Sequence, residues 1–334
     1  MTDITMIRAA ERRLAGHVRR TPLLNAPLLD RIAGRRVLVK AECLQWTGSF
    51  KFRGAWSALT ALPTAIRAKG VIAFSSGNHA QGVAYSAALH GVPAVIVMPS
   101  DAPAVKIANT RSYGAEVVLY DRANEDRDAL GARLAAARGL TLIKPFDEPL
   151  VIAGQGTIGL EIAEQAAEAG VKSAQVITCC GGGGMTAGIA LALEGSDFRV
   201  HPAEPAGFDD TARSLASGRI EHNVSLTGSI CDAIITPSPG RITFPILQRL
   251  CGPGHVVTDD QALHAMALAF AHLRIVVEPG GAVALAAALF AKNLPGTVIC
   301  TASGGNVDPV LFVAMLNRFA DGAEADIPRA SDPI

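Results

Sequence analysis

Short runs of β-branched and apolar residues alternate along this chain with Ala-rich stretches of helical period. Val71-Ile72-Ala73-Phe74 predicts a buried strand, and Ala80 to Leu89 the helix after it. Ala94 to Met98 reads as the next strand, Ala104 to Tyr113 as a helix, and Glu116 to Leu119 as a strand again. The rhythm resumes with a helix from about Gly156 to Glu168 and a strand at Gln175 to Thr178. A helix near Thr186 to Leu193, a strand at Phe198 to His201 and a late strand at Thr297 to Cys300 complete it. Such alternation predicts an α/β fold of parallel strands with helices on both faces. In open sheets of this sort ligands bind beyond the carboxyl ends of the strands, so the strand-to-helix turns are where chemistry is sought. Three of them are rich in Gly, Ser and Asn: Ser75-Ser76-Gly77-Asn78-His79, Gly181-Gly182-Gly183-Gly184-Met185 and Ser303-Gly304-Gly305-Asn306.

A length of 334 residues is enough for two domains, each with its own core. Hydrophobic residues make up 49% and charged residues 18%, a globular rather than a disordered balance. Lys+Arg and Asp+Glu number 30 each, so the net charge is zero. A nucleic-acid binder needs a basic excess, which argues against that class. A neutral surface favours self-association, and a homodimer or tetramer is expected. The six cysteines show no C-x-x-C spacing and several sit in apolar runs, so they are expected to be small buried hydrophobes in a reducing compartment. The first residues carry Arg8, Glu11, Arg12 and Arg13 and no apolar signal region. No run approaches the roughly 20 apolar residues of a membrane span. A cytoplasmic protein without membrane contact is the expectation, with a frayed polar tail from Asp321 onward.

Two segments carry chemistry of their own. Gly181 to Gly184 follow an apolar strand and precede a helix, and consecutive glycines let backbone N–H groups converge because no Cβ blocks the approach. At a helix N-terminus those donors and the dipole favour a phosphate. No Lys-Ser/Thr follows, so the turn is not a nucleotide P-loop. Lys51 lies between Phe50 and Phe52 and close to Gly48 and Gly54. A partly apolar setting lowers the pKa of an amine and frees it for Schiff-base chemistry.

Taken in order, Ser49-Phe50-Lys51-Phe52-Arg53-Gly54-Ala55, Ser75-Ser76-Gly77-Asn78-His79-Ala80-Gln81-Gly82, the Gly181–Gly184 turn and Ser303-Gly304-Gly305-Asn306-Val307-Asp308 resemble the serine/threonine dehydratase family. These are fold-type II pyridoxal-phosphate enzymes, a group that also contains serine racemase and hydroxyaspartate dehydratase. The resemblance runs from about Thr21 to about Met315. It implies a tryptophan-synthase-β-like architecture: two open parallel-sheet domains with pyridoxal 5'-phosphate between them. A large domain of 1–51 plus 147–334 and a small domain of 52–146 are expected, the small one closing over substrate. Lys51 would form the Schiff base with the cofactor and later act as base on the substrate Cα. Phe50 would lie against the ring, Asn78 would bond its phenolic oxygen, and Ser303 would face the pyridine nitrogen. Gly181, Gly182, Gly183, Gly184 and Met185 would cradle the phosphate, and Glu278 would sit near the ring edge. Ser75, Ser76, Gly77 and His79 would hold the substrate carboxylate, with Ser76 placed for proton transfer on the face opposite Lys51. A neutral Ser opposite the pyridine nitrogen leaves the ring a weaker electron sink, which suits prompt loss of a β-hydroxyl over transamination. Phe50 as plain core, His79 acting through its backbone and Ser303 as a cap remain open.

The resemblance also implies a divalent cation, Mg²⁺ or Ca²⁺, held by Glu204, the carbonyl of Phe208 and Asp210 on a loop; oxygen donors suit such ions. The competing reading is a solvated acidic loop with Asp210 capping the helix that starts near Thr211. Asp232 to Gly240 is stiffened by Pro237 and Pro239 and looks more like a short catabolic threonine dehydratase than a serine racemase. The leading expectation is an L-threonine and L-serine ammonia-lyase. A 3-hydroxyaspartate dehydratase, or one for another hydroxy amino acid, is the first rival. It needs a cation for the added carboxylate, with Arg53, Arg127 and Lys144 as candidates. A racemase with Lys51 and Ser76 as opposed bases is the second. A non-catalytic ligand-binding protein is the third, disfavoured by the intact Lys51. No C-terminal regulatory domain and no isoleucine inhibition are expected.

Overall fold

The computed structural model describes residues 2–319, apart from Ser76, Pro103, Arg122, Ala123 and Asn293 and the side chains of Val105 and Asp128. The polar tail and Ser76 therefore lie outside the described residues. In chain order the strands are β1 (Leu23–Leu24), β2 (Val37–Lys40), β3 (Val71–Phe74), β4 (Ala94–Pro99), β5 (Glu116–Tyr120), β6 (Thr141–Leu142), β7 (Ala174–Cys179), β8 (Phe198–Pro205), β9 (His255–Val257) and β10 (Val298–Thr301). They form one sheet of order β1-β2-β10-β7-β8-β9 and another of order β5-β4-β3-β6. Every pairing is parallel except β1 with β2. Helices cover both faces, which is why Val71, Ile72 and Ala73, or Val298, Ile299 and Cys300, are buried without alternation.

The alternation read from the sequence recurs, with the short strands β1, β6 and β9 added and further differences. β2 carries no signal in that pattern, because it follows Arg35-Arg36 and ends in a lysine. Lys40 is nevertheless fully buried, its Nζ donating to Glu161 (2.5 Å), Gln165 (2.9 Å) and the Thr21 carbonyl (2.8 Å). β8 runs four residues beyond His201, to Pro205, because it pairs with both β7 and β9. The helix expected from Gly156 starts at Pro149, where the Glu148 carboxylate accepts the Val151 N–H at 2.7 Å and the proline fits the first turn.

Three helices, Lys51–Ala61, Pro149–Glu168 and Gly184–Ala192, stack at very short range. A Cβ on Gly154 would meet the Arg53 carbonyl at 2.6 Å, and one on Gly156 the Gly188 carbonyl at 2.9 Å. Arg53, on the same helix as Lys51, is fully buried. Its Nε lies 2.8 Å from Glu42 and its Nη1 2.7 Å from Glu161. This cluster anchors the helix that presents Lys51. All six cysteines are free and buried, as expected. Among the described residues no helix is long and apolar enough to cross a membrane.

Candidate active site

Lys51 opens the helix Lys51–Ala61. The turn before it is stitched to the Ser303 turn: Ser49 bridges Gly304, and the Phe50 N–H donates to the Ser303 carbonyl at 3.1 Å. Lys51 Nζ donates to the Pro145 carbonyl at 2.8 Å and stands 5.2 Å from the centre of the Phe50 ring. Burial pushes its pKa down to about 8, against the opposing pull of Glu278. The amine therefore has a sizeable neutral fraction near neutral pH.

β7 delivers the chain to Gly181, and Gly183, at φ +86°, precedes the helix Gly184–Ala192. A Cβ on Gly181 would meet the Ile234 carbonyl at 2.9 Å, one on Gly182 would strike the Phe146 ring, and one on Gly184 would meet the Phe146 carbonyl at 2.9 Å. The first N–H groups of that helix have no intrahelical acceptor, and with the dipole they make an anion site.

Asn78 and His79 form the first turn of the helix Asn78–Leu89, which starts two residues before the expected Ala80. Asn78 Nδ2 donates to Glu278 Oε1 at 2.5 Å, and Asn78 Oδ1 accepts from Asn306 Nδ2 at 2.7 Å. The same Asn306 nitrogen reaches the Thr47 carbonyl at 2.8 Å. Thr47 sits at φ +58°, a left-handed conformation that is strained for a β-branched residue. Burial raises the Glu278 carboxyl to about 7. The His79 ring is buried with Nε2 at 2.8 Å from the Ile143 carbonyl. Burial, aided by the Lys51 charge, lowers its pKa to about 3, so the ring is neutral and donates to that carbonyl.

Phe50, Lys51, Asn78, Gly181, Gly182, Gly183, Gly184, Met185, Glu278 and Ser303 all line one cleft. Ser75, Gly77 and His79 are not among its walls. Pro145, Phe146 and Gln155, which the sequence reading did not single out, are, and so is Thr236 of the Asp232–Gly240 segment. For Gln155 a signal existed: one amide between two glycines in an otherwise apolar run, Val151-Ile152-Ala153-Gly154-Gln155-Gly156.

Residues 14–305 match the family described as pyridoxal-phosphate dependent enzymes. The chain belongs to that family. It is 42% identical to the L-threo-3-hydroxyaspartate ammonia-lyase of Pseudomonas sp, over 93% of this chain and 97% of that one. It is 38% identical to a serine racemase of Oryza sativa subsp. indica, over 95% and 94%. A solved threonine deaminase from T.th. superposes with a TM-score of 0.86 at 46% identity, over 92% of this chain and 99% of that one. The protein is thus a fold-type II pyridoxal-phosphate enzyme with lyase chemistry, within the ammonia-lyase and racemase group.

The cleft suits the cofactor. It offers a buried amine of lowered proton affinity, a glycine-lined helix N-terminus, and two side chains, Gln155 and Thr236, with buried polar atoms that have no partner. A phosphate and an aldehyde-bearing ring answer those features.

The expected cation ligands are arranged differently from a loop. Glu204 lies on β8 and Asp210 is the first residue of the helix Asp210–Ser217. Glu204, not Asp210, caps that helix, accepting the Thr211 N–H at 3.0 Å and the Ala212 N–H at 2.7 Å. Asp210 Oδ1 accepts from Asn223 at 2.5 Å, and its buried Oδ2 has no partner. Burial raises Glu204 to about 8 and Asp210 to about 6. Phe208, between them in the chain, is buried. No group of three or more His, Cys, Asp or Glu side chains among the described residues is placed to hold a metal, so a cation here depends on main-chain oxygen and water. Of the cations considered for a second substrate carboxylate, Arg53 is committed to Glu42 and Glu161, and Lys144 is exposed. The Arg127 guanidinium stands 5.8 Å from the Phe74 ring, next in the chain to Ser75.

Proposed function

We propose that this enzyme is an ammonia-lyase of L-threonine and L-serine, releasing 2-oxobutyrate or pyruvate with ammonia. The cleft wall carries the choice. Besides Lys51 it holds no Arg, Lys or His among the described residues, and it presents Glu278 with the apolar Phe146, Ala233 and Ile234. Such a wall accommodates a methyl and a hydroxyl beside the cofactor, with no cation of its own besides Lys51 for a second carboxylate on that side.

Bound pyridoxal phosphate supplies an electron sink that acidifies the substrate Cα–H. In this reading Lys51 would hold the cofactor until the substrate amine displaces it, and the freed Nζ would then take the Cα proton, a role its pKa of about 8 suits. Gly181 to Met185 take the phosphate, Asn78 the phenolic oxygen, Ser303 the pyridine nitrogen, Phe50 a ring face and Glu278 the ring edge. Ser75, Gly77 and the backbone of His79 hold the substrate carboxylate, and Ser76 serves the face opposite Lys51. The four-stranded sheet belongs to a small domain of 52–146 that closes on the remainder, and the enzyme works as a homodimer or tetramer in the cytoplasm. Mg²⁺ or Ca²⁺ sits at Glu204, Asp210 and the Phe208 carbonyl, a reading supported by the unpartnered Asp210 Oδ2.

The test is 2-oxo acid release from L-threonine, L-serine, their D-isomers and the 3-hydroxyaspartate isomers, with and without Mg²⁺. Fast 2-oxobutyrate from L-threonine is expected. A second reading, 3-hydroxyaspartate ammonia-lyase, is favoured by Arg127 beside Phe74, from where domain closure would carry a guanidinium towards a β-carboxylate. It predicts release from hydroxyaspartate alone, and that outcome would displace the first.

A further inference from the structure

Gln155 is only 1% exposed, yet it lines the cleft with Lys51 and the Gly181–Gly184 turn. Its Nε2 and Oε1 are both buried, and neither has a hydrogen-bond partner. The side chain is confined. Gly54, one turn beyond Lys51, leaves no room for even a methyl against Nε2. Its neighbours Gly154 and Gly156 press the helix onto the Arg53 and Gly188 carbonyls. The amide is held against the Lys51 helix. A buried amide with neither function satisfied is costly, and an apolar residue of the same size would fill the space without that cost. A polar group of this kind calls for a partner, and one that lines a cleft is placed to find it in what the cleft holds.

We propose that Gln155 is a ligand of the cofactor's phosphate. The inference rests on the reading that the Gly181–Met185 turn takes that phosphate. Backbone N–H groups of the turn cover the oxygens on the helix side. Nε2 of Gln155 donates to an oxygen they leave uncovered, approaching from the neighbouring helix Pro149–Glu168. Oε1 accepts from the phosphate hydroxyl when the group is a monoanion. An amide serves both protonation states of a phosphate, because it is donor and acceptor at once. Gln155 touches the cofactor in this account and takes no proton from the substrate.

The experiment compares wild type, Gln155→Leu and Gln155→Glu in three measurements: cofactor dissociation constant by absorbance titration, the ³¹P resonance of the bound cofactor, and the melting temperature of the apoprotein. Gln155→Leu is expected to weaken cofactor binding by about tenfold, as for one lost hydrogen bond to a charged group. It should shift the ³¹P resonance and leave the apoprotein as stable as wild type or more so. Gln155→Glu should bind still more weakly, through repulsion of like charges. Cofactor affinity within twofold of wild type with an unmoved ³¹P resonance in Gln155→Leu would overturn the proposal. So would an apoprotein destabilised in both variants, which marks a packing role. Gly184→Ala separates the two levels, since its Cβ meets the Phe146 carbonyl beside the turn. An unmoved resonance and unchanged affinity in that variant would bring down the phosphate reading of the turn itself.

Discussion

Asn78 and Glu278 stand 200 positions apart in the chain and meet side chain to side chain in the cleft wall, Nδ2 donating to Oε1 at 2.5 Å. The contact fixes which way the Asn78 amide points, because Asn306 holds its oxygen from the other side. Glu278→Ala removes the acceptor and leaves a buried N–H unpaired, at an expected cost of about 1–3 kcal/mol in unfolding free energy. Glu278→Gln keeps an acceptor oxygen and should lose less. Denaturant unfolding of both variants measures the difference.

The same carboxyl gives the apoprotein a pH dependence. Its folded pKa is raised to about 7 by burial, so below the unfolded value near 4.5 its contribution to stability is fully present. That contribution is lost as pH rises towards 7, because the unfolded chain then releases the proton first. The expected loss is on the order of 3 kcal/mol between pH 4.5 and 7. It should be absent from Glu278→Gln, and superimposable wild-type and Glu278→Gln stability–pH curves would contradict it.

Lys51 predicts a kinetic signature. Cofactor capture by the apoenzyme needs the neutral amine, so its rate should climb about tenfold per pH unit and level off near pH 8. A solvated lysine would go on climbing past pH 10. Lys51→Ala should lose the visible absorbance of the bound cofactor and at least about a thousandfold of turnover. Stopped-flow absorbance reads the first quantity and 2-oxo acid release the second.

Arg53 carries the ion cluster under the Lys51 helix. Arg53→Met strands the buried Glu42 without its ion partner, while Glu161 keeps Lys40, and should cost about 3–5 kcal/mol. Replacing Arg53 and Glu42 together by apolar residues should cost less than the single change, since fewer charges are left unpaired. A single variant as stable as wild type would show that the cluster does not anchor the helix.

The proposed cation site has a thermal test. A divalent ion at one hundred times its dissociation constant should add about 2.7 kcal/mol of stability, seen as a higher melting temperature. Asp210→Asn should abolish that increment while leaving the Glu204 cap on Thr211 and Ala212 in place.

Much of this protein was legible in its residues because the signals are local. β-branched runs such as Val71 to Phe74 cannot be solvated and read as buried strands without any partner being known. Gly181 to Gly184 announce a close backbone approach because no other residue permits it. Phe50-Lys51-Phe52 announces an amine in an apolar setting. Other features exist only once distant segments meet. Nothing near Lys40 says that Glu161, more than a hundred positions away, will neutralise it and let β2 lie in the sheet beside β10. Nothing near Arg53 separates a substrate-binding cation from one consumed by Glu42 and Glu161. Glu204 looks like a loop ligand until β9 pairs with β8 and extends the strand beneath it. Residue pattern reports the period of an element and the conformations its backbone can take. Burial, charge partnership and the unpaired amide of Gln155 are properties of three-dimensional neighbours, and only the tertiary structure decided those.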